Sequence, residues 1–322
     1  MLKNELYLLL LMETILIFGG TGCLGRNLIQ HYLTKDARIV NYSRDEHKHW
    51  NLDQEIGRGK ITHVIGDAGD AINVKQTLLN YRPSTIFILH ALKHVDRCQD
   101  NLNACIQVNL LSIKNVLDCI HESMHQLPNL KRVLFTSTDK APSPINVYGM
   151  CKAICEELII EKAKYIPAIK FVIVRYGNVL NSTSSLLPAL LKNTSDVYYI
   201  TDDRMTRFWM TIQQACDTVH YALEYGQTGE VIIPKLKSFY IKHMIEYVAH
   251  LKGKRVETMG LRPGERLYET LINDTQSIRT IEKEGYYHIQ PYFKSPLLVE
   301  PFVYDSNTEI LENPRELFQQ MI

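Results

Sequence analysis

The chain has 322 residues, 45% of them hydrophobic and 22% charged, which is enough for one large domain or two small ones. Lys and Arg total 36 against 35 Asp and Glu, and no basic block runs along the sequence, which argues against nucleic acid as the main partner. Seven scattered cysteines lack zinc-ligand spacing; they point to reduced thiols in a cytoplasmic compartment, with no structural metal and no disulfide.

The N-terminal MLKNELYLLLLMET carries a leucine run too short to cross a bilayer and no cleavage-site pattern. It is expected to pack on the protein as an extension, with Met12 an alternative start and no membrane partner. Apolar runs predict strands at Thr14–Phe18, Arg38–Tyr42, Thr62–Ile65, Thr85–Leu89, Arg132–Thr136 and Phe171–Arg175. Helical spacing falls at Leu24–Leu33, Asn101–His125 and Val147–Tyr165. Such alternation predicts an α/β fold with a doubly wound parallel sheet, covered on both faces. After Val179 the rhythm changes: Ser182–Pro188, Asp196–Arg207 and Gly260–Leu267 read as loops. A strand at Glu230–Ile233 returns to the sheet, TRFWMT (Thr206–Thr211) reads as packing for a cap, and the Pro- and aromatic-rich tail reads as irregular.

Between the first strand and first helix lies GGTGCLG, with Gly19, Gly22 and Gly25 where a chain must turn sharply against a pyrophosphate. The expected organisation is a dinucleotide-binding Rossmann domain over 12–180, joined by 211–234. A smaller interleaved substrate-binding cap comes from 181–210 and 235–322. At the end of the second strand, Ser43 and Arg44 stand where NAD sites usually carry an acid. With Lys48 as a second cation, they predict NADP, its 2′-phosphate held by the guanidinium. Asp67 is placed for the adenine amino group. Tyr148 and Lys152 lie one helical turn apart and share a face. The lysine ammonium and an oxidised nicotinamide are expected to lower the tyrosine pKa, giving a base for a substrate hydroxyl. Lys93, after the fourth strand, falls near the switch point where ligands collect.

The stretches GGTGCLG, YSRDEHK, LKHV, STDKA, PINVYGMCK, RYGNV, TDDRMTRFWMT and LRPGERL together resemble the extended short-chain dehydrogenase/reductases. More narrowly, they resemble the inverting UDP-N-acetylglucosamine 4,6-dehydratases. The resemblance implies oxidation of the sugar at C4, elimination of water across C5 and C6, hydride return to C6 and inversion at C5. It implies Tyr148 as base at O4, Lys140 as base at C5 and Asp139 as acid at the C6 oxygen, with Thr138 and Ser137 beside them. Lys140 has to act uncharged, and burial, Lys152 and the nicotinamide are expected to lower its pKa; Asp139 has to hold a proton.

The same resemblance extends the cofactor set to Thr21, Cys23, Leu24, Ala68, Leu89, Tyr176 and Val179, with Arg175–Val179 lining the nicotinamide end. It assigns UDP-sugar contacts to Lys93, Asn178, Arg262, Glu265, Leu186 and Thr201. It also implies a homo-oligomer, with a hexamer as the expected assembly. The chain departs from the family pattern at FILHALKHV, at Gly69 and at LNSTSS. Two other readings stand beside this one: a nucleotide-sugar C4 epimerase or reductase, and a non-catalytic dinucleotide-sensing module on the same fold.

Overall fold

The computed structural model describes residues 13–182, 185–294 and 300–321. The leucine-rich N-terminal run and Met12 lie outside the described residues. In chain order the strands are β1 (Thr14–Phe18), β2 (Arg38–Ser43), β3 (Thr62–Ile65), β4 (Thr85–Ile88), β5 (Arg132–Thr136), β6 (Lys170–Val174), β7 (Asn178–Val179) and β8 (Val197–Ile200). They continue with β9 (Thr206–Met210), β10 (Val231–Pro234), β11 (Ser238–Tyr240), β12 (Arg255–Thr258), β13 (Thr270–Ile272), β14 (Thr280–Lys283), β15 (Tyr286–Ile289) and β16 (Tyr304–Asp305).

Nine strands form one sheet in the order β3-β2-β1-β4-β5-β6-β10-β15-β14. The first seven of these are parallel, and β15 and β14 add antiparallel at one edge. Residues 280–289, expected in the cap, thus extend the large sheet. Alternate residues of each central strand feed opposite cores, as strand geometry requires. Leu16, Ile86, Val133 and Phe171 face one core; Ile17, Phe87, Leu134 and Val172 face the other. Helices cover both faces, which is why these strands are apolar throughout. A third core, with Leu187, Tyr198, Phe239, Met244, Val248 and Phe318, belongs to the smaller C-terminal part. Among the described residues no helix is long and apolar enough to cross a membrane.

The loops expected after Val179 are partly ordered into strands. β8 pairs with β12, and β9 pairs with β7 and β11. These partners are remote in sequence, so local patterning carried no sign of them. The helix expected at Asn101–His125 is also divided. A helix at Val95–Asp100 ends at Asn101, and Leu102–Ile106 leads into a π-helical turn, Gln107–Leu111, before Ser112–Ser123. Buried Asn109 sits in that turn. Its side chain accepts from the Leu92 N–H at 2.7 Å and donates to the Leu92 carbonyl at 2.8 Å. The wider turn aims the amide at the loop after β4 and fixes that loop.

Candidate active site

The switch point lies between β1 and β4, at the carboxyl ends of the strands. Gly19 has φ +89°, and a β-carbon there would lie 2.8 Å from the backbone nitrogen of His90. A β-carbon at Gly25 would lie 2.5 Å from Gly20 Cα and 2.7 Å from its carbonyl oxygen. Gly22 caps the helix Cys23–Leu33 without a side-chain hydrogen bond. That leaves the first-turn N–H groups directed at the turn, and the cradle fits a pyrophosphate. Gly25→Ala is expected to displace the turn through backbone collision and weaken dinucleotide binding about tenfold or more, measured by fluorescence titration.

Thr21 donates to the Ser43 hydroxyl at 3.4 Å, and Cys23 and Leu24 are half-buried behind the turn. Arg44 pairs with Asp67 at 3.4 Å, and Lys48 pairs with Asp45 at 3.5 Å. Asp67 also accepts from the Gly69 N–H, and the buried Ala68 offers its carbonyl to Asn115. Leu89 packs on one of the sheet's cores, and Lys93 is exposed in the loop that Asn109 fixes. Burial holds the neighbouring His90 neutral, with its pKa lowered to about 3.

Past β5 the chain runs on beside the segment after β6. The Ser137 N–H donates to Val174, and the Asp139 N–H donates to Tyr176. Asp139 is 2% exposed; its Oδ1 accepts from Thr138 Oγ1 and from Lys140 Nζ, each at 3.0 Å. Its Oδ2 is buried with no hydrogen-bond partner among the described residues. The helix Val147–Tyr165 brings Tyr148 and Lys152 to the same place. Lys152 Nζ donates to the Thr136 carbonyl at 2.8 Å and lies 4.4 Å from the centre of the Phe135 ring. Tyr148 hydrogen-bonds the Thr138 side chain. Gly149 allows this close packing, since a β-carbon there would sit 2.3 Å from the Lys140 carbonyl oxygen. The helix cap Asn146 accepts from the Gly149 N–H and donates to the Gly264 carbonyl, tying the site to the LRPGE loop.

Two electrostatic expectations need correction. Burial opposes a charge on Lys140, but the carboxylates of Asp139 and Glu269 overcome it and raise the pKa. Lys140 Nζ lies 3.1 Å from Glu269 Oε1. The amine is therefore held as an ammonium. Tyr148 is pushed up to about 12 by burial; the opposing influences are Lys140 and the Thr138 hydrogen bond, where Lys152 was expected. Lys152 is itself lowered by burial to about 8.

On the substrate side Asn178 is exposed on β7, and Val179 and Tyr176 are half-buried. Leu186 is at the surface and Thr201 follows β8. Arg262 and Glu265 pair with each other at 2.5 Å, and Glu265 also accepts from the Arg262 N–H. Arg175, expected beside the nicotinamide, is fully buried and turned instead toward Glu156 and the Leu271 carbonyl.

Sequence reasoning missed Glu269, Arg207 and Asn109. Glu269 and Arg207 are both buried, with Arg207 Nε 3.6 Å from Glu269 Oε1. The available signals were a second acid in GERLYE and a cation inside an otherwise aromatic strand.

Fold and site together define a nucleotide-sugar dehydratase/epimerase-type protein of the extended short-chain dehydrogenase/reductase superfamily. The family of polysaccharide biosynthesis proteins matches residues 15–291, and the chain belongs to it. It is 34% identical over 294 residues to the inverting UDP-N-acetylglucosamine 4,6-dehydratase of Campylobacter jejuni, covering 88% of this chain and 84% of that one. Among solved structures, Pen from Bacillus thuringiensis superposes with a TM-score of 0.87 at 27% identity, covering 96% of this chain and 98% of that one. The dTDP-glucose 4,6-dehydratase DesIV of Streptomyces venezuelae, solved with NAD and TYD, gives 0.68 at 18% identity, covering 79% and 86%.

The expectation of NADP is corrected here. The solved relative of the same fold holds NAD. In this chain both cations expected at a 2′-phosphate are engaged with carboxylates, Arg44 with Asp67 and Lys48 with Asp45. A motif count sees the cations but not the acids that neutralise them.

Proposed function

We propose that the protein is an NAD-dependent UDP-N-acetylglucosamine 4,6-dehydratase that inverts C5, releasing a UDP-linked 6-deoxy-4-keto sugar for surface-glycan synthesis. The observation that carries this reading is the buried Asp139–Lys140 pair beside Tyr148, with Asp139 Oδ2 unpartnered among the described residues. A plain epimerase or reductase would use Tyr148 and Lys152 without needing Asp139 and Lys140, and a sensing module needs no proton movers. The relation to the inverting dehydratase of Campylobacter jejuni supports the substrate class.

NAD, when bound, supplies the hydride acceptor at C4 and the hydride donor at C6. Gly19, Thr21, Gly22, Cys23, Leu24 and Gly25 would hold its pyrophosphate, with Ser43, Asp67, Ala68 and Leu89 along the adenosine and Ser137, Tyr176 and Val179 toward the nicotinamide. Tyr148 takes the O4 proton. Thr138, bonded to both Tyr148 and Asp139, holds the two in register. The ketone at C4 acidifies C5. A proton shift along the 3.0 Å contact from the Lys140 ammonium to the Asp139 carboxylate yields the free amine that removes the C5 proton and the acid that protonates the departing C6 hydroxyl. A solvent-derived proton then returns to the opposite face of C5. Lys152, anchored on the Thr136 carbonyl, places a cation beneath the site. Lys93, Asn178, Arg262, Glu265, Leu186 and Thr201 are the proposed contacts to the UDP-sugar, and the assembly is proposed to be a homo-hexamer.

The test is incubation with UDP-N-acetylglucosamine and NAD in heavy water, with mass spectrometry and NMR of the product. Loss of one water with deuterium at C5 and inverted C5 is expected. A 6-hydroxy C4 epimer would sink the reading.

A further inference from the structure

Lys140 does not stand alone in the cleft. Its amine lies between two buried carboxylates, Asp139 Oδ1 at 3.0 Å and Glu269 Oε1 at 3.1 Å. Glu269 arrives from the chain just before β13, on the C-terminal part of the molecule, and is itself fixed from three sides. Its N–H donates to the Ser306 hydroxyl at 3.0 Å, its carbonyl accepts from the Ser306 N–H at 2.8 Å, and Arg207 on β9 faces its carboxylate at 3.6 Å. Arg207 is pinned in turn by the carbonyls of Thr206, Arg266 and Leu267. An acid so firmly placed can do one thing that Asp139 cannot. Asp139 is asked to give up a proton during turnover; Glu269 takes no part in that transfer and serves only as a contact of the amine.

We propose that Glu269 is a positioning residue for Lys140: its carboxylate holds the amine in the cleft and governs the pH at which that amine becomes free to act as a base. The role of Lys140 as base rests on the dehydratase reading, but the control of its ionisation by Glu269 does not. The charged and titratable groups facing Lys140 are Asp139 from its own loop, Glu269 and Arg207 from the C-terminal part, and Tyr148 from the packed helix. Of these only Asp139 and Glu269 favour the ammonium. Glu269 also faces the positive charge that forms when Lys140 accepts the C5 proton, so it stabilises that charge where it develops.

The test reads the amine directly. Competitive acetylation with trace acetic anhydride, followed by peptide mass spectrometry across alkaline pH, reports the fraction of Lys140 that is uncharged. Removing one carboxylate lowers the lysine pKa, so the labelling midpoint of Glu269→Gln is expected to fall by about one unit or more, giving roughly tenfold more label at a fixed pH below the midpoint. A merely structural role would raise labelling at every pH without moving the midpoint, and that outcome overturns the proposal, as does an unmoved curve. If Glu269→Gln does not fold, Glu269→Asp draws the carboxylate back by one methylene and is expected to shift the midpoint less, in the same direction; an unmoved midpoint there is equally decisive. A wild-type protein that leaves UDP-N-acetylglucosamine unchanged would defeat the dehydratase reading while the labelling midpoint still judges Glu269.

Discussion

Lys140→Ala is expected to lose C5 exchange with solvent deuterium by about a hundred- to ten-thousandfold, the span general acid–base groups contribute, while NAD binding stays at its wild-type level. The cofactor cradle lies at the end of β1, and Lys140 contributes nothing to it in the structure, so affinity and turnover separate cleanly. Alanine also strips the ammonium from two buried carboxylates, Asp139 and Glu269. Removing one partner of such a cluster costs about 3–5 kcal/mol, so a stability loss accompanies the catalytic one. Lys140→Arg separates the two effects. A guanidinium keeps the positive charge between the carboxylates but does not deprotonate in a protein. It is expected to recover most of the stability and none of the C5 exchange. Normal turnover by either variant, with water loss intact, would remove Lys140 from the mechanism.

The parts of this molecule legible in the sequence are those written in local order. The strand–glycine–helix unit at Thr14–Leu33 was readable because the turn needs small residues at fixed spacing. Tyr148 and Lys152 were readable because one helical turn puts them on one face. What was not readable arises where distant segments meet. Lys140 was expected to be uncharged through burial, Lys152 and the nicotinamide, whereas two carboxylates hold its charge: the adjacent Asp139 and, from far along the chain, Glu269. The NADP expectation failed for a similar reason, since Arg44 meets Asp67 only after β2 and β3 pair. Cap strand β8 looked like a loop because its partner β12 follows a long insertion. The π-helical turn at Asn109 was hidden inside a continuous helical pattern; an amide among apolar positions was its single mark.

A stability effect as large as that of Lys140→Ala is expected at a pair away from the chemistry. Arg175 is fully buried at the end of β6, and its guanidinium forks onto Glu156 of the helix Val147–Tyr165. It also donates to the Leu271 carbonyl at 2.6 Å and to Gln276 Oε1 at 2.9 Å. Glu156→Gln leaves a buried guanidinium without its counter-charge, and a loss of about 3–5 kcal/mol is expected, seen as a fall of roughly 5–10 °C in the thermal midpoint. Replacing both partners with apolar residues, Glu156→Leu with Arg175→Met, removes the stranded charge and recovers part of that loss. Recovery stays incomplete, because the Leu271 carbonyl and the Gln276 amide lose their donor, and a buried acceptor left unpaired costs about 1–3 kcal/mol. Leu271 lies on β13, two residues beyond Glu269, the counter-charge of Lys140, which immediately precedes that strand. The double variant should therefore shift the Lys140 labelling midpoint as well as the melting curve, whereas a pair that served stability alone would move only the second.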